Sequence, residues 1–294
     1  MNFLIKLCAT TAILGLLLRQ LCPFSLVQVA QTYCEKQIPN SIYRELYQAI
    51  VCGTPIRSSF FRQIFINTGL IHILVVSGSH LLFLENFFFL KKLRAQWKWG
   101  FILLPFAFFV GFQAPVTRAL VLRTLYFPAI KKKIKLTDLQ SQAFATLLCL
   151  LIFPGWMDSL SFLLSWTCAI LLTAPPISQW PNEFENSIKI FIGLFPFAGS
   201  IGMNSPISIL TNWLMAPLIG GILFPSALLS VFFPPLTLYI DGIWALLIEV
   251  LRPISFAPPT YVPLPSLAQS WIYPFILHLV LLKAEVTWKR IRLF

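Results

Sequence analysis

Residues 69–85 read GLIHILVVSGSHLLFLE, an apolar run that carries two histidines, two serines and a closing carboxylate. With its apolar flanks the run extends from about Ile66 to Leu90, long enough for one helix to cross a bilayer. On one continuous helix His72, Ser79 and Asn86 are spaced by seven and stay within about 40° of one another, so they form a polar stripe. His80 stands about 80° to one side of His72, and Ser77 about 140° on that same side, which widens the polar arc. Gly78, between the serines, weakens the helix and lets another backbone approach. Such groups either bond to neighbouring helices as packing glue or line a water-filled path. Two histidines, an asparagine and a carboxylate on one span favour the path.

The whole chain matches this opening in character. Of its 294 residues 57% are hydrophobic and 11% charged, with a mean hydropathy of +0.80, against roughly 25% charged in an ordinary soluble domain. A soluble protein of this size needs a polar exterior that this composition does not supply. The expected class is an all-α, polytopic integral membrane bundle. The net charge of +12 is gathered mainly in clusters between apolar runs: Lys91, Lys92, Arg94 and Lys98; Lys131, Lys132, Lys133 and Lys135; Lys283, Lys289, Arg290 and Arg292. That pattern marks cytoplasmic loops rather than a direct DNA contact.

Met1 to Leu18 reads as a retained first span rather than a cleaved signal peptide, since no small-x-small cleavage site follows. Residues 1–66 then form an N-terminal anchor and a short external loop, and 67–294 the main membrane domain. Within the loop, SIYRELYQAIV puts Ile42, Leu46, Ala49 and Ile50 on one side and Arg44, Glu45 and Gln48 away from it, as in a helix lying on a surface. Cys34 and Cys52, with Cys22 nearby, fall in this loop, where a disulfide forms if the compartment oxidises. Cys8, Cys149 and Cys168 lie in apolar runs and behave as small hydrophobes.

Trp99 to Ile130 lies between two basic loops and must cross an even number of times, yet roughly 32 residues are short for two spans. Gly111, Pro115 and Pro128 interrupt it, so a tight hairpin or a re-entrant pair of broken helices is expected. FATLLCLLIF then runs out, PGWMD turns, and LSFLLSWTCAILL returns. PPISQWPNEFENSIK reads as a loop and IFIGLFPFAGSIGM as the next span. Asn204 to Leu236, rich in proline and containing Gly220 and Gly221, reads as a second interrupted block. Asp241 and Glu249 mark the following helix as interfacial or facing a polar interior, and a final span lies near Trp271 to Leu282. About eight to ten membrane segments result, some of them re-entrant.

Arg118 and Arg123 fall inside the hairpin, in APVTRALVLRTL. An arginine at the centre of a membrane helix costs about 2.5 to 3.5 kcal/mol, so Arg118 is expected to face the bundle interior or a cavity. The structural alternative is an ion pair with Asp158, Asp241 or Glu85. Arg123 is close enough to the cytoplasmic edge to snorkel.

FRQIFINTGLIHILVVSGSHLLFL, residues 61–84, resembles the signature segment of the ComEC family of competence proteins, inner-membrane channels for DNA uptake. APVTRALVL, FLLSWTCAIL and NSPISILTNWLMAPLIG resemble three further family segments in the same order. Together they cover Tyr47 to Leu236, and the resemblance carries over His72, Ser77, Gly78, His80, Arg118, Ser165, Asn212 and Pro217. Ser79 stands where family members have leucine, and Leu122 where they have methionine. Full-length members also carry an external OB-like domain and a metallo-β-lactamase-like domain. The loop before Asn67 is too short for the first, and His72, His80 and His278 cannot form the metal centre of the second.

The resemblance implies an inner-membrane, multi-pass channel that imports single-stranded DNA during natural transformation. It further implies no catalytic residues, no metal and no cofactor. A nuclease, an external DNA receptor and a cytoplasmic ATP-driven helicase would be separate partners, and a homo-oligomer is compatible with this reading. His72, Ser77, Gly78, Ser79, His80, Arg118, Ser165 and Asn212 are the expected lining of the DNA path. Two rivals use the same residues: a small-solute or ion transporter, and an intramembrane serine hydrolase built on Ser77 or Ser79.

Overall fold

The computed structural model describes residues 24–74, 77–86, 99–125, 136–174, 181–198, 205–256 and 267–291, and all regular elements among them are helical. The expected first span, the first two basic clusters, Arg292, Cys8 and Cys22 lie outside the described residues.

Helix α1 (Phe24–Gln37) is followed by a short α2 (Arg44–Tyr47) that runs into a π-helical turn, Gln48–Cys52. The expected surface helix is instead sunk into the core. Leu46, Tyr47, Ala49 and Ile50 are wholly buried, while Ile42 is exposed. The reason is that its polar side chains find protein partners. Arg44 and Gln48 both donate to the Glu35 carbonyl near the end of α1. The Tyr47 hydroxyl donates to the Asp241 carboxylate at 2.8 Å, and Ser41 donates to the same oxygen at 2.7 Å. Burial, reinforced by Asp241, pushes the Tyr47 phenol up and keeps it a donor.

Cys34 and Cys52 are joined by a disulfide, with Cα atoms 5.8 Å apart and a sequence separation of 18. Closing a loop of that length removes about 3 kcal/mol of unfolded-state freedom. Replacing both cysteines by serine should therefore lower the heat stability of the solubilised protein, read as earlier aggregation on a temperature ramp. An unchanged profile would show that the hydrogen bonds around Tyr47 hold the region alone.

Helix α3 (Ser59–Asn67) is capped by the Ser58 hydroxyl, which accepts from the Phe61 amide. Then come α4 (Ile71–Leu74) and α5 (Gly78–Asn86). The continuous span expected here is broken: Gly69 adopts φ +74°, and Ser77 is non-helical. Non-helical Ser77 separates His72 on α4 from Ser79 and Asn86 on α5, so the three do not share one continuous helix.

A π-helical turn at Trp99–Leu103 leads into α6 (Leu104–Phe109), and α7 (Ala114–Leu125) returns from it. This is the expected hairpin, reversing at Gly111 and Phe112, both with positive φ. At 1.5 Å per residue α7 rises about 18 Å, well short of a bilayer core of ~30 Å. Helix α8 (Asp138–Ile152) starts with a capping box between Thr137 and Gln140, turns through Pro154–Asp158, and pairs with α9 (Leu160–Thr173), as the sequence suggests.

Helix α10 (Asn182–Ala198) begins inside the stretch expected to be a loop. Its first turns are stabilised by a buried Glu185–Lys189 pair at 2.7 Å, and Lys189 also donates to the Ala174 carbonyl at the end of α9. Within the Pro-rich block, Asn204 to Leu236, α11 (Ile207–Leu218), a π-helical turn at Ile219–Leu223 and α12 (Phe224–Ser230) form one 24-residue rod, and the interruption falls after it, at residues 231–233. The wider turn lies between Pro217 and Pro225 and absorbs the ladder mismatch that their missing N–H groups create. Helices α13 (Thr237–Ile254) and α14 (Leu267–Ile291) complete the chain. Among the described residues two stretches, Ile207–Ser230 and Pro234–Ile254, are long and apolar enough to cross a membrane.

The largest core joins residues of α2 to α7 with the π-helical turn before α12, α12 itself and α13, around Tyr47, Phe65, Phe224 and Trp244. Residues before Asn67 share this core, so position 67 is not a packing boundary. Smaller clusters lie among α7, α8, α9, α10 and α14. Helix α7 packs against α5 on one side and against α8 and α9 on the other. It is the shared wall, and it carries Arg118.

Candidate functional site

Arg118 leaves α7 toward α8 and α9 and is 4% exposed. Its Nε and Nη2 donate to the Ser165 hydroxyl at 3.2 and 3.1 Å, and Nη2 also donates to the Ser165 carbonyl at 3.1 Å. Nη1 donates to Oε1 of Gln142 at 2.6 Å. Among the described residues no carboxylate pairs with this cation. Each acid proposed for it from sequence is elsewhere: Asp158 is exposed, Asp241 accepts from Tyr47 and Ser41, and Glu85 pairs with Arg123 at 3.0 Å. Arg118 thus faces the bundle interior, packed among α7, α8 and α9. Arg123 pairs with Glu85 across α5 and α7 instead of only reaching for the membrane edge.

Gln142 was not singled out from sequence. Its signal was present, since a glutamine one turn into an otherwise apolar helix needs a buried partner. The missing information was that α7 and α8 are neighbours.

Ala119, next to Arg118 and about 100° around α7, touches α5. A Cβ built at Gly78 would lie 2.9 Å from the Ala119 Cβ and 3.6 Å from the Pro115 carbonyl. Gly78 therefore sets the separation of α5 and α7. Gly78→Ala should cost about 1 to 3 kcal/mol by overpacking and lower the unfolding midpoint, with Ala119→Gly restoring it. Failure of that rescue would locate the strain elsewhere.

Around this glycine the polar groups bond to one another. The Ser77 and Ser79 hydroxyls are 2.6 Å apart, and Nδ1 of His80 accepts from the Ser77 amide at 3.0 Å. The Ser77 hydroxyl lies 3.4 Å from the same nitrogen. With Nδ1 accepting, the ring proton belongs on Nε2, which has no hydrogen-bond partner among the described residues. His80 is fully buried, perpendicular to Phe224 at 4.7 Å and near Phe83 at 6.2 Å. Phe83 in turn covers Gly220, where a Cβ would meet its ring at 2.0 Å. In the serine–histidine arrangement, no carboxylate orients His80 among the described residues.

His72 is half-buried and Asn212 buried, and among the described residues His72 Nδ1 and Asn212 Oδ1 have no hydrogen-bond partner. Thr211, beside Asn212, donates to the Thr68 carbonyl at 2.6 Å, and Ser208 packs over Gly69. The sequence-selected residues therefore fall into three places: His72 and Asn212 on α4 and α11, where the Thr68–Thr211 bond ties α11 to the break before α4; Ser77, Gly78, Ser79 and His80 at the start of α5; and Arg118 with Ser165 between α7 and α9. The last two groups are joined through α7, and the first two through the Ile219–Leu223 turn, on which both α4 and α5 pack. Pro217 is exposed, and the Asn86 side chain lies outside the described residues. Among the described residues no group of His, Cys, Asp and Glu is placed to hold a metal ion.

Residues 58–288 match a family described as competence protein. A curated protein of Aquifex aeolicus (strain VF5), described only as uncharacterized, is 32% identical over 213 residues. The match covers 67% of this chain and 50% of that protein, so the chain spans about half the length of the curated relative it matches. No solved structure matches. With the family matched across all three groups of polar residues, from the α3 break through Arg118 to Asn212, the chain belongs to the competence protein family.

Proposed function

We propose that this chain is a multi-pass inner-membrane protein that admits single-stranded DNA to the cytoplasm, with Arg118 as its principal contact for phosphate. The observation that carries this reading is a buried guanidinium held, among the described residues, by the neutral acceptors Gln142 and Ser165. A strand with one charge per nucleotide needs donors that can take up a phosphate and release it again. Arg118 can exchange a hydroxyl and an amide oxygen for a phosphate oxygen without breaking an ion pair. The competence family match and the two long apolar helices support the setting.

Because the polar groups are packed together, passage requires α7 to part from α8 and α9, or from α5. Parting would uncover His80, Phe83 and Phe224, whose rings can stack on bases. The motor, nuclease and external receptor are separate chains in this proposal. Deleting the gene in a transformable host should leave labelled DNA bound outside and absent from the cytoplasm; cytoplasmic label at the parental level would refute the reading.

A second reading, carriage of a small anion, draws on the same site, since one cation with neutral partners also suits a single anion. Saturable anion flux into proteoliposomes without DNA would favour it.

A further inference from the structure

Aromatic rings touch in series from the turn after α8 into the bundle. Phe153 stacks on Trp156 at 4.3 Å, where the Pro154–Asp158 turn begins. Trp156 meets Phe162 at 5.5 Å, Phe162 meets Trp271 at 6.2 Å, Trp271 meets Trp166 at 5.6 Å, and Trp166 meets His278 at 5.8 Å. Phe153 and Trp156 are half-buried beside an exposed Met157, whereas Phe162, Trp166 and His278 are buried. The inner end adjoins the partners of Arg118: Trp166 follows Ser165 on α9, and Thr146 stands one turn beyond Gln142 on α8. Helix α14, which carries Trp271 and His278, packs on both α8 and α9.

Packing alone does not account for this inner end. The Thr146 hydroxyl, the Trp166 indole N–H and both His278 ring nitrogens are buried without a hydrogen-bond partner among the described residues. Each such group in an apolar interior is costly. An aromatic belt at the bilayer surface would hold its rings at one depth, facing lipid. These rings follow the helix axes inward instead, and Trp271 and His278 stand about 10 Å apart along α14 at 1.5 Å per residue. A single strand of nucleic acid matches both features. Its bases stack on aromatic rings whatever their sequence, and their edges supply the donors and acceptors that the inner end lacks. The outer turn lies at the opposite end of α8 from Lys131, Lys132, Lys133 and Lys135, so the positive-inside rule puts it where a strand arrives. Pro274, between Trp271 and His278, removes one bond from α14, and the helix can bend there to uncover the rings.

We infer that these rings form a stacking track that carries the bases of a single strand from the outer turn to Arg118, where Trp166 and His278 receive the base whose phosphate Arg118 holds. The inference rests on the proposed passage of DNA and adds to it a route and a set of base contacts. The test is binding of fluorescent single strands to the full chain in lipid nanodiscs, comparing a strand that has all its bases with an abasic strand of equal length and charge.

Wild type should bind the base-bearing strand about tenfold more tightly. Trp166→Leu and Trp271→Leu should each cut that preference about threefold or more, while Trp166→Phe keeps a ring and keeps the preference. Arg118→Gln should weaken both strands alike. Equal binding of the two strands by wild type, dependent on Arg118, would overturn the track and leave the phosphate reading standing; binding of neither strand would sink both. Trp156→Leu, at the half-buried outer turn, covers a buried variant that misfolds. It should also lower the preference, and a preference kept there, or in a folded Trp166→Leu, would overturn the inference.

Discussion

Arg118→Gln should leave the protein in the membrane at close to normal abundance while cytoplasmic DNA entry falls about 100-fold, as expected when a charge-assisted contact worth about 1.5 to 3 kcal/mol is removed. The neutral amide can still bond to Ser165 and Gln142, so packing around α7 survives, but no charge remains to meet a phosphate. Arg118→Glu is a different experiment. It would bury an unpaired carboxylate against the Ser165 carbonyl and the Gln142 oxygen, costing about 3 to 5 kcal/mol. That variant should disappear from the membrane, and its loss of transport would say nothing about phosphate. Arg118→Lys keeps the charge without the planar fork and should fall between wild type and glutamine. Normal DNA entry in Arg118→Gln, with abundance confirmed, would reduce Arg118 to a structural tie between α7, α8 and α9.

Gly69→Ala should be strongly destabilising for two separate reasons. Gly69 holds φ +74°, where an L-residue costs about 1 to 2 kcal/mol, and its new Cβ would lie 2.3 Å from the Ser208 Cβ. Overpacking against α11 adds about 1 to 3 kcal/mol. Together these should lower the unfolding midpoint by roughly 10 °C at a few degrees per kcal/mol. Ser208→Gly in the same chain should recover the contact part and leave the backbone part, so a partial rescue is the expected signature. A complete rescue would show that φ at position 69 is unimportant; no rescue would show that α11 does not press on the turn.

These two positions also show what was readable in advance. Arg118 was conspicuous because a lone cation in an apolar run must be accommodated somewhere, and the reading that it turns inward holds. Its partners were not readable, since serine and glutamine in apolar helices look alike until the neighbouring helix is known. Gly69 looked like an ordinary glycine in a span. Its positive φ is a local helix end, since the Leu70 amide donates to the Phe65 carbonyl at 2.8 Å just past α3, whereas the close approach of Ser208 of α11 joins residues far apart in sequence. The same distinction explains Arg44 and Gln48. Periodicity correctly separated them from Leu46 and Ala49, but it could not show that α1 would stand where water was expected.

The linear sequence by itself determined the helical class, the hairpin reversing at Gly111, the α8–α9 pair and the kinship with competence proteins, because each depends on local periodicity, turn residues or a contiguous motif. Tertiary structure alone decided that the SGSH run opens a new helix, that residues 207–230 run as one rod through Pro217 and Pro225, and that the polar residues lie packed against neighbours. Those outcomes depend on which backbone presses on which glycine and which donor finds which acceptor. Such choices are energies between distant segments, and no short window of sequence contains both partners.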